Sequence, residues 1–280
     1  MMMKIFFLAT LLTATAFSAM AQSMAVATYN LRYDNPGDSG NLWVNRSPVV
    51  SDLIRFHNFD VFGTQEALKN QLDDILHALP QYSRCGVGRD DGKEKGEHSA
   101  IFYKKDQFDL LNSGDFWLSE TPAKPSKGWD ATCCNRLCSW VQLKHTLSGN
   151  TFYFFNAHFD HQGEQARIES ARLILKQIKQ VAGKTPAIFT GDLNGNHHSQ
   201  WYAMLAMSGY VFDVFALVDH PYLNSSTYNG FDRARPGKEV IDHIFVTDHF
   251  AVKSWGVLTD TYNGKFPSDH FPVVAMVELK

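Results

Sequence analysis

Cysteine is scarce in this sequence. Cys85, Cys133, Cys134 and Cys138 are the four present in 280 residues. Their spacing is not that of a zinc knuckle, and histidine partners are missing beside them. Structural disulfides or free thiols are therefore expected in place of a metal cluster. Adjacent Cys133 and Cys134 are not expected to bridge to each other. That leaves Cys138 with Cys133 or Cys134, or a long link from Cys85, as the candidate pairings. An excess of positive charge is also lacking. Lys and Arg number 26 against 29 Asp and Glu, a formal charge of −3. No overall field gathers polyanions, so a nucleic-acid partner would need a local basic groove. There is no H-E-x-x-H run, which removes the zinc-hydrolase helix of that type even though His197, His198 and His243 are present. Neither a short repeat nor a low-complexity linker occurs, and a single domain is the simplest organisation. Beyond the N-terminus no apolar run is long enough to span a bilayer.

What is present begins with Lys4, an apolar run from Ile5 to Phe17, and Ala19-Met20-Ala21. A positive start, a hydrophobic stretch and an A-x-A end form the pattern of a cleavable secretory signal. Residues 1–21 are expected to be that signal and residues 22–280 one exported domain, periplasmic or secreted. No Cys follows Ala21, so no lipid attachment is expected. A hydrophobic fraction of 44% supports a sizeable core.

Strand-like and helix-like segments alternate. Strands are expected at 24–29, 60–64, 99–103, 139–145, 151–157, 186–190, 240–246 and 272–277. The Ser47-Pro48 pair reads as a helix start followed by an apolar stripe. Residues 68–79 read as a helix ended by Pro80, and 164–181 as the clearest amphipathic helix, with Ile168, Ala171, Leu175, Ile178 and Val181 on one side. Some strands follow helices and others follow strands, which predicts mixed sheets with helices outside. The stretches 89–97 and 117–138 read as long surface loops, the usual carriers of specificity.

Polar residues gather at strand ends. The apolar run Ala187-Ile188-Phe189 leads into Thr190-Gly191-Asp192-Leu193-Asn194, and alternation puts Asp192 and Asn194 on one face. Tyr29-Asn30, Gln65-Glu66 and Ser268-Asp269-His270 are read as strand ends of the same kind. Oxygen-rich ligands at such ends suit a hard divalent cation, so metal-assisted attack on a phosphate ester is the leading chemistry. Glu66, a carboxylate closing an apolar strand, is the first metal-ligand candidate.

Six motifs in chain order carry a resemblance: Ala27-Thr28-Tyr29-Asn30, Gly63-Thr64-Gln65-Glu66, Asn156-Ala157-His158, Gly191-Asp192-Leu193-Asn194, Ile241-Asp242-His243 and Ser268-Asp269-His270. Together they resemble the endonuclease/exonuclease/phosphatase superfamily, of DNase-I-like fold; the first motif and the His158-Phe159-Asp160-His161 region look closer to its exported bacterial and deadenylase-like branch than to its repair branch. The resemblance implies an α/β fold of α+β type, a four-layer sandwich of two packed mixed β-sheets flanked by helices. It also implies an exported Mg²⁺-dependent phosphoesterase, with Mn²⁺ an alternative ion. Asp192 would orient or deprotonate the attacking water, and Asn194 would donate to developing phosphorane charge. Glu66, Asn30 and Asp269 would hold the metal. His270 would bind the phosphate or move a proton, oriented by Asp242. His158 would pair with an acid before an inner strand, a place that Glu97 fits. Arg32 stands where repair endonucleases carry an acid, which argues against a repair role. Arg32, Arg136 and Arg167 are candidate grips on phosphate oxygens. The substrate class is a nucleic acid, a sugar phosphate or a lipid head group, and no stable protein partner is expected. A non-catalytic exported binding module on the same fold is the alternative.

Overall fold

Two β-α-β crossovers, one in each half of the chain, set the architecture. The computed structural model describes residues 23–234 and 237–280; the proposed signal at 1–21 lies outside them. In chain order the elements are β1 (Ser23–Asn30), α1 (Trp43–His57), β2 (Val61–Gln65), α2 (Lys69–Ala78), β3 (Tyr82–Cys85), β4 (Ile101–Lys104), β5 (Phe108–Trp117), β6 (Leu137–His145), β7 (Thr151–His158), α3 (Glu164–Val181), β8 (Ala187–Asp192), α4 (Gln200–Ala206), β9 (Phe212–Asp213), a 3₁₀ turn (Val214–Leu217), β10 (Asp242–Val246), β11 (Phe250–Val257) and β12 (Val273–Leu279). They build two six-stranded sheets, ordered β11-β12-β1-β2-β4-β3 and β5-β6-β7-β8-β10-β9. In each sheet one central pair is parallel, β1 with β2 and β7 with β8. The helices α1 and α3 are the crossovers that parallel pairing requires.

Three apolar layers hold the sheets and helices together. Met24, Val26, Val61, Phe152, Phe154, Ile188 and Ile244 fill the space between the sheets. Tyr29, Val50, Ile54, Phe62, Leu72 and Ile75 seal the first helix pair onto one outer face. Phe155, Ala171, Ile174, Ile178, Phe189 and Leu205 seal α3 and α4 onto the other. The expected four-layer sandwich is therefore what forms. Among the described residues no helix is long and apolar enough to cross a membrane.

Several boundaries depart from expectation for tertiary reasons. Helix α1 starts at Trp43, with Pro48 inside it. Trp43 Nε1 donates to Asp74 and the buried Arg46 guanidinium donates to the carbonyls of Leu31, Arg32, Asn41 and Pro267. Those anchors hold an extra turn ahead of the proline. Strand β5 has a run of exposed residues over half its length, so it shows no apolar alternation and no strand is expected there from the sequence. The pair Cys133–Cys134 does form a disulfide, and Cys85 and Cys138 are free. Cys138 is buried in β6 and sits in the apolar layer under α3, whereas Cys133 and Cys134 lie in irregular backbone that can accommodate the tight link between neighbours.

Along the inner face the strands change character toward one end. Apolar side chains give way to Thr28, Gly63, Gln65, Asn156 and Thr190, all fully buried or, for Gly63, unable to carry a side chain. A Cβ on Gly63 would stand 2.3 Å from Asn156 Oδ1. Asn156 Nδ2 crosses from the second sheet to donate to the carbonyls of Thr64 (2.8 Å) and Ala100 (3.0 Å) in the first. Its oxygen accepts from Gln65 Nε2 at 2.7 Å and from Thr190 Oγ1 at 3.2 Å. This polar layer sets the register of the two sheets just beneath the mouth. Asn156→Ala would orphan several buried groups and is expected to cost about 1–3 kcal/mol or more, read as a lower urea midpoint at unchanged slope.

Candidate active site

Parallel strands end together, and their C-terminal ends are where an α/β sheet presents ligands. Strands β1 and β2 deliver Asn30 and Glu66 to one mouth; β7 and β8 deliver His158 and Asp192. The antiparallel neighbours reach the same mouth at their beginnings. Asp242 opens β10 directly opposite Asp192, and Asp269 and His270 precede β12 beside β1. Ser268-Asp269-His270 is thus a strand start, not a strand end as the sequence suggested, because antiparallel pairing reverses the direction of β12. Glu66, His158, Asp192, Asp269 and His270 line an open cleft of about 510 Å³, a size suited to a small organic ligand; Asn30 and Asp242 lie fully buried behind that lining.

Backbone strain marks the turn-out points. Arg32, Glu66 and Asn194 have φ of 54°, 65° and 45°, left-handed values that non-glycine residues adopt at a cost on the order of 1–3 kcal/mol each. Each sits at or just past a strand end and is held by tertiary contacts. Arg46 grips the carbonyls of Leu31, Arg32 and Pro267 from below, which ties the turn after β1 to the segment before Asp269.

Asp192 is the centre of the hydrogen bonding. It is buried, its Oδ1 accepts from the Asn194 backbone N–H at 2.9 Å, and its Oδ2 accepts from Asn30 Nδ2 at 3.1 Å. Burial, and then the nearby Asp242 charge, push its carboxyl up to about 7. His270 Nε2 faces Asp192 Oδ2 at 3.8 Å, and its Nδ1 meets Asp242 Oδ2 at 2.9 Å. Burial opposes the imidazolium, but the charge and hydrogen bond of Asp242, with Asp192 and Asp269, outweigh it and raise His270 well above its usual range. The expected Asp242–His270 pair is present, and it leaves Nε2 as a charged donor.

Asn30 and Glu66 form the facing wall. Asn30 Nδ2 donates to Glu66 Oε1 at 3.1 Å as well as to Asp192, while its oxygen accepts from the Arg32 N–H at 3.0 Å. Asn30 thus presents a donor that bridges two carboxylates. Glu66 Oε2 also accepts from the Tyr33 N–H at 3.3 Å. Asp269 is buried nearby, its carboxyl raised to about 6, first by burial and further by Glu66. Three carboxylates, Glu66, Asp192 and Asp269, thus crowd one cleft, two of them held at raised pKa. A donor set of hard oxygens under mutual repulsion fits a divalent cation of the magnesium class. Asp192, Asp242 and His270 also present ligand atoms within 4.8 Å of one another, although Asp242 is already engaged by His270.

The remaining site candidates divide. His158 is buried, and Asn194 Nδ2 donates to its Nε2 at 3.1 Å while also donating to the Phe159 carbonyl. Burial and then Arg136 and Arg89 hold His158 neutral, well below its usual range. Glu97 is not its partner: Arg89 Nη1 donates to Glu97 at 2.6 Å. The loop 89–97 folds back on itself, with the Arg89 N–H donating to the Glu97 carbonyl at 3.0 Å, and so sets Arg89 beside Glu97 where an acid–imidazole pair is expected from the sequence. Burial nevertheless lifts Glu97 to about 7. Asn194, expected as a donor to substrate, has its amide engaged in positioning His158.

Arg32 lines the cleft, clamped by Asp38 through Nε at 2.8 Å and Nη2 at 3.0 Å, with Nη1 directed toward Glu66 at 3.9 Å. Arg136 also lines it. Its Nη2 donates to His161 Nδ1 at 2.8 Å, while Nε and Nη1 are buried without a hydrogen-bond partner. Arg167 does not reach the cleft lining. It stacks on Trp201 at 4.4 Å and donates to the Asp160 carbonyl at 3.0 Å, so its role is structural. Trp117 is buried and donates to the Arg89 carbonyl, packing beneath the loop. Arg89, Tyr33, His161, Tyr228 and the Cys133–Cys134 bridge also line the cleft. They escaped the sequence reading because they come from irregular segments without a periodic signal.

Comparison with known proteins agrees with this geometry. The signature of the Endonuclease/Exonuclease/phosphatase family matches residues 27–270. An endonuclease/exonuclease/phosphatase family protein from Bacteroides thetaiotaomicron superposes with a TM-score of 0.90 at 47% identity, covering 93% of this chain and 99% of that one. A mannosyl-6-phosphatase from the same species superposes with a TM-score of 0.88 at 48% identity, covering 91% and 99%. The 3'-5'-exoribonuclease subunit of the Saccharomyces cerevisiae CCR4-Not complex is 22% identical over 302 residues, which cover 85% of this chain and 35% of that protein.

Proposed function

This chain belongs to the endonuclease/exonuclease/phosphatase family, and we propose that it is an exported Mg²⁺-dependent hydrolase that removes phosphate from a sugar phosphomonoester. The observation that carries the reading is the convergence of Asp192, the Asp242–His270 pair, Glu66 and Asp269 on one cleft. A sugar monoester is favoured by the 48% identity to a mannosyl-6-phosphatase over nearly all of that protein. A formal charge of −3 gives no general attraction for a polynucleotide, so exoribonuclease action is the second reading. A binding module without catalysis would be expected to lack part of this constellation, and none of these side chains is missing.

The chain's own groups define the chemistry. Asp192, held by the Asn194 N–H and Asn30, takes the proton of the attacking water. Its raised pKa makes it a better proton acceptor than an ordinary carboxylate. His270, kept cationic by Asp242, donates from Nε2 to a phosphoryl oxygen as charge grows there. Arg32, fixed by its two bonds to Asp38, offers Nη1 to another phosphate oxygen. Glu66 and Asp269, with the Asn30 amide beside them, would hold the cation, which when bound supplies Lewis-acid neutralisation of the phosphate.

A panel of sugar phosphates, a phosphodiester, single-stranded RNA and a phosphorylated lipid head group, each with Mg²⁺, with Mn²⁺ and with EDTA, tests the reading. Phosphate release from the sugar monoesters only with metal is the expected result; turnover in EDTA, or turnover of RNA alone, overturns it. Export is tested by cell fractionation and by the N-terminus of the mature protein, expected near Gln22.

The raised carboxyls also predict a pH effect on stability. Asp192 and Glu97 at about 7 and Asp269 at about 6 bind more protons folded than unfolded, where carboxyls titrate near about 4. Their contribution favours folding at low pH and is lost as pH rises through 6 to 7. His270, raised as well, acts in the same direction. Above about pH 6.5 the buried neutral histidines carry little opposing charge. In EDTA the melting temperature is therefore expected to fall between about pH 6.5 and pH 8, and added Mg²⁺ should restore more at pH 8. Identical melts at the two pH values in EDTA would contradict this.

A further inference from the structure

Strand alternation turns Asp242 toward His270, behind the cleft lining, and its neighbour His243 to the opposite face of the second sheet. There His243 meets His197, from the loop after Asn194, and Asp213, from β9. None of the three lines the cleft. Their potential ligand atoms, one from each side chain, all lie within 4.8 Å of one another. His197 Nε2 stands 3.5 Å and His243 Nδ1 3.9 Å from Asp213 Oδ2. On a tetrahedron with bonds of about 2.0–2.1 Å, ligand atoms sit about 3.3 Å apart, so a small closure completes the geometry.

The outer contacts prepare both imidazoles and the carboxylate. His243 Nε2 is 2.9 Å from the Gly195 carbonyl, to which it donates, so Nδ1 carries the lone pair. Gly195 belongs to the same loop as His197. Both His243 Nδ1 and His197 Nε2 are buried atoms with no hydrogen-bond partner, and His243 as a residue is 1% exposed. Burial lowers the pKa of His243 and keeps it neutral. Tyr202 donates its hydroxyl to Asp213 Oδ2 at 2.6 Å, and the Phe215 N–H donates to Oδ1 at 3.1 Å. His197 is clasped between Phe215, stacked at 4.6 Å, and the edge of Tyr202 at 4.9 Å. Its side chain retains 24% exposure, so an edge of the ring reaches solvent while Nε2 faces Asp213. Orienting bonds of this kind on a ligating histidine and carboxylate are the usual surroundings of a zinc site.

We propose that His197, Asp213 and His243 form a second metal site, selective for Zn²⁺ over Mg²⁺, that clamps the loop after Asn194 to strands β9 and β10. Two nitrogens and one oxygen suit a borderline ion, whereas the cleft offers mainly oxygens. The role is structural: the clamp fixes the loop that carries Asn194, and through it His158.

The test uses the whole chain, stripped with EDTA and then held in excess Mg²⁺ so that the cleft is occupied. Zn²⁺ is added, unbound ion is dialysed away, and metal per chain is measured together with the melting temperature. Co²⁺ in place of Zn²⁺ supplies an optical readout. The expected result is one Zn²⁺ per chain, a raised melting temperature, and the visible absorption of tetrahedral cobalt. His197→Ala should lose all three, and Tyr202→Phe should weaken binding about 10- to 100-fold. Absence of Zn²⁺ retention and of the cobalt band in the unaltered chain overturns the proposal without relying on any variant. Equal Zn²⁺ binding by His197→Ala overturns it too, leaving His197 and Asp213 as a simple ion pair. Because these readouts are metal content and spectra, their failure is distinct from failure to hydrolyse a sugar phosphate.

Discussion

Asp192→Asn is expected to lower kcat by about 10²–10⁴-fold, the range for loss of a proton-transferring group, while the protein stays folded. The substitution is nearly isosteric. It can keep the acceptor for the Asn194 N–H but removes the group that takes the water's proton. The stability effect should run opposite to the activity effect. Asp192 is buried beside Asp242, and burial and that charge have pushed its carboxyl up to about 7. Neutralising it relieves repulsion above that pH, so the metal-free variant is expected to melt at or above the temperature of the unaltered chain at pH 8. Such a pairing of lost turnover with retained or increased stability separates a functional carboxylate from a structural one. Saturating kinetics on the preferred ester, combined with thermal melts in EDTA, checks both halves. Near-normal kcat, or a large loss of stability, would remove Asp192 from its assigned role.

Asp242→Asn is expected to lower kcat by a comparable factor, on the order of 10²–10⁴, by a different route. Asp242 does not line the cleft; it acts through His270, whose Nδ1 it holds at 2.9 Å. Without the carboxylate, the strongest influences opposing burial are removed, the pKa of His270 falls, and less of the imidazolium that serves the phosphoryl oxygen is present at neutral pH. An asparagine oxygen can still accept from Nδ1–H, so orientation partly survives while charge does not. The pH profile is the decisive measurement. The alkaline limb of kcat should move to lower pH in the variant, a change that a purely structural defect would not produce. An unaltered limb with reduced kcat would mean that Asp242 only packs.

Much of the site was legible because its residues sit at ends of periodic segments. Asn30, His158, Asp192 and Asp242 each terminate or begin an alternating strand, and alternation assigns them to the same face as the apolar residues that precede or follow them; Glu66, one residue past β2, reaches the mouth through its left-handed backbone instead. Helix α3 matched its expected limits because one apolar stripe and eighteen residues leave little ambiguity. Legibility failed where side chains are paired by loops. Glu97 met Arg89 in place of His158 because the fold-back of 89–97 is set by its own turns and bonds, which have no period. Arg167 was drawn to Trp201 by the packing of α3 against α4. Arg46 gave no signal at all, since its partners are four backbone carbonyls from three separate segments.

From the sequence alone came the layered sheet-and-helix plan, the alternation that marks the inner faces, and the chemical type of each residue at the mouth. Those are local properties: periodicity and residue chemistry act over a few neighbours and survive without knowledge of the rest. Tertiary structure alone decided which ends coincide, that β10 and β12 arrive in reverse, which acid meets which base, and that Cys133 bridges Cys134. It also decided that His243 turns its back on the cleft to face His197 and Asp213. Such outcomes depend on the pairing and direction of strands far apart in the chain, and on burial that shifts proton affinities, neither of which any single segment contains.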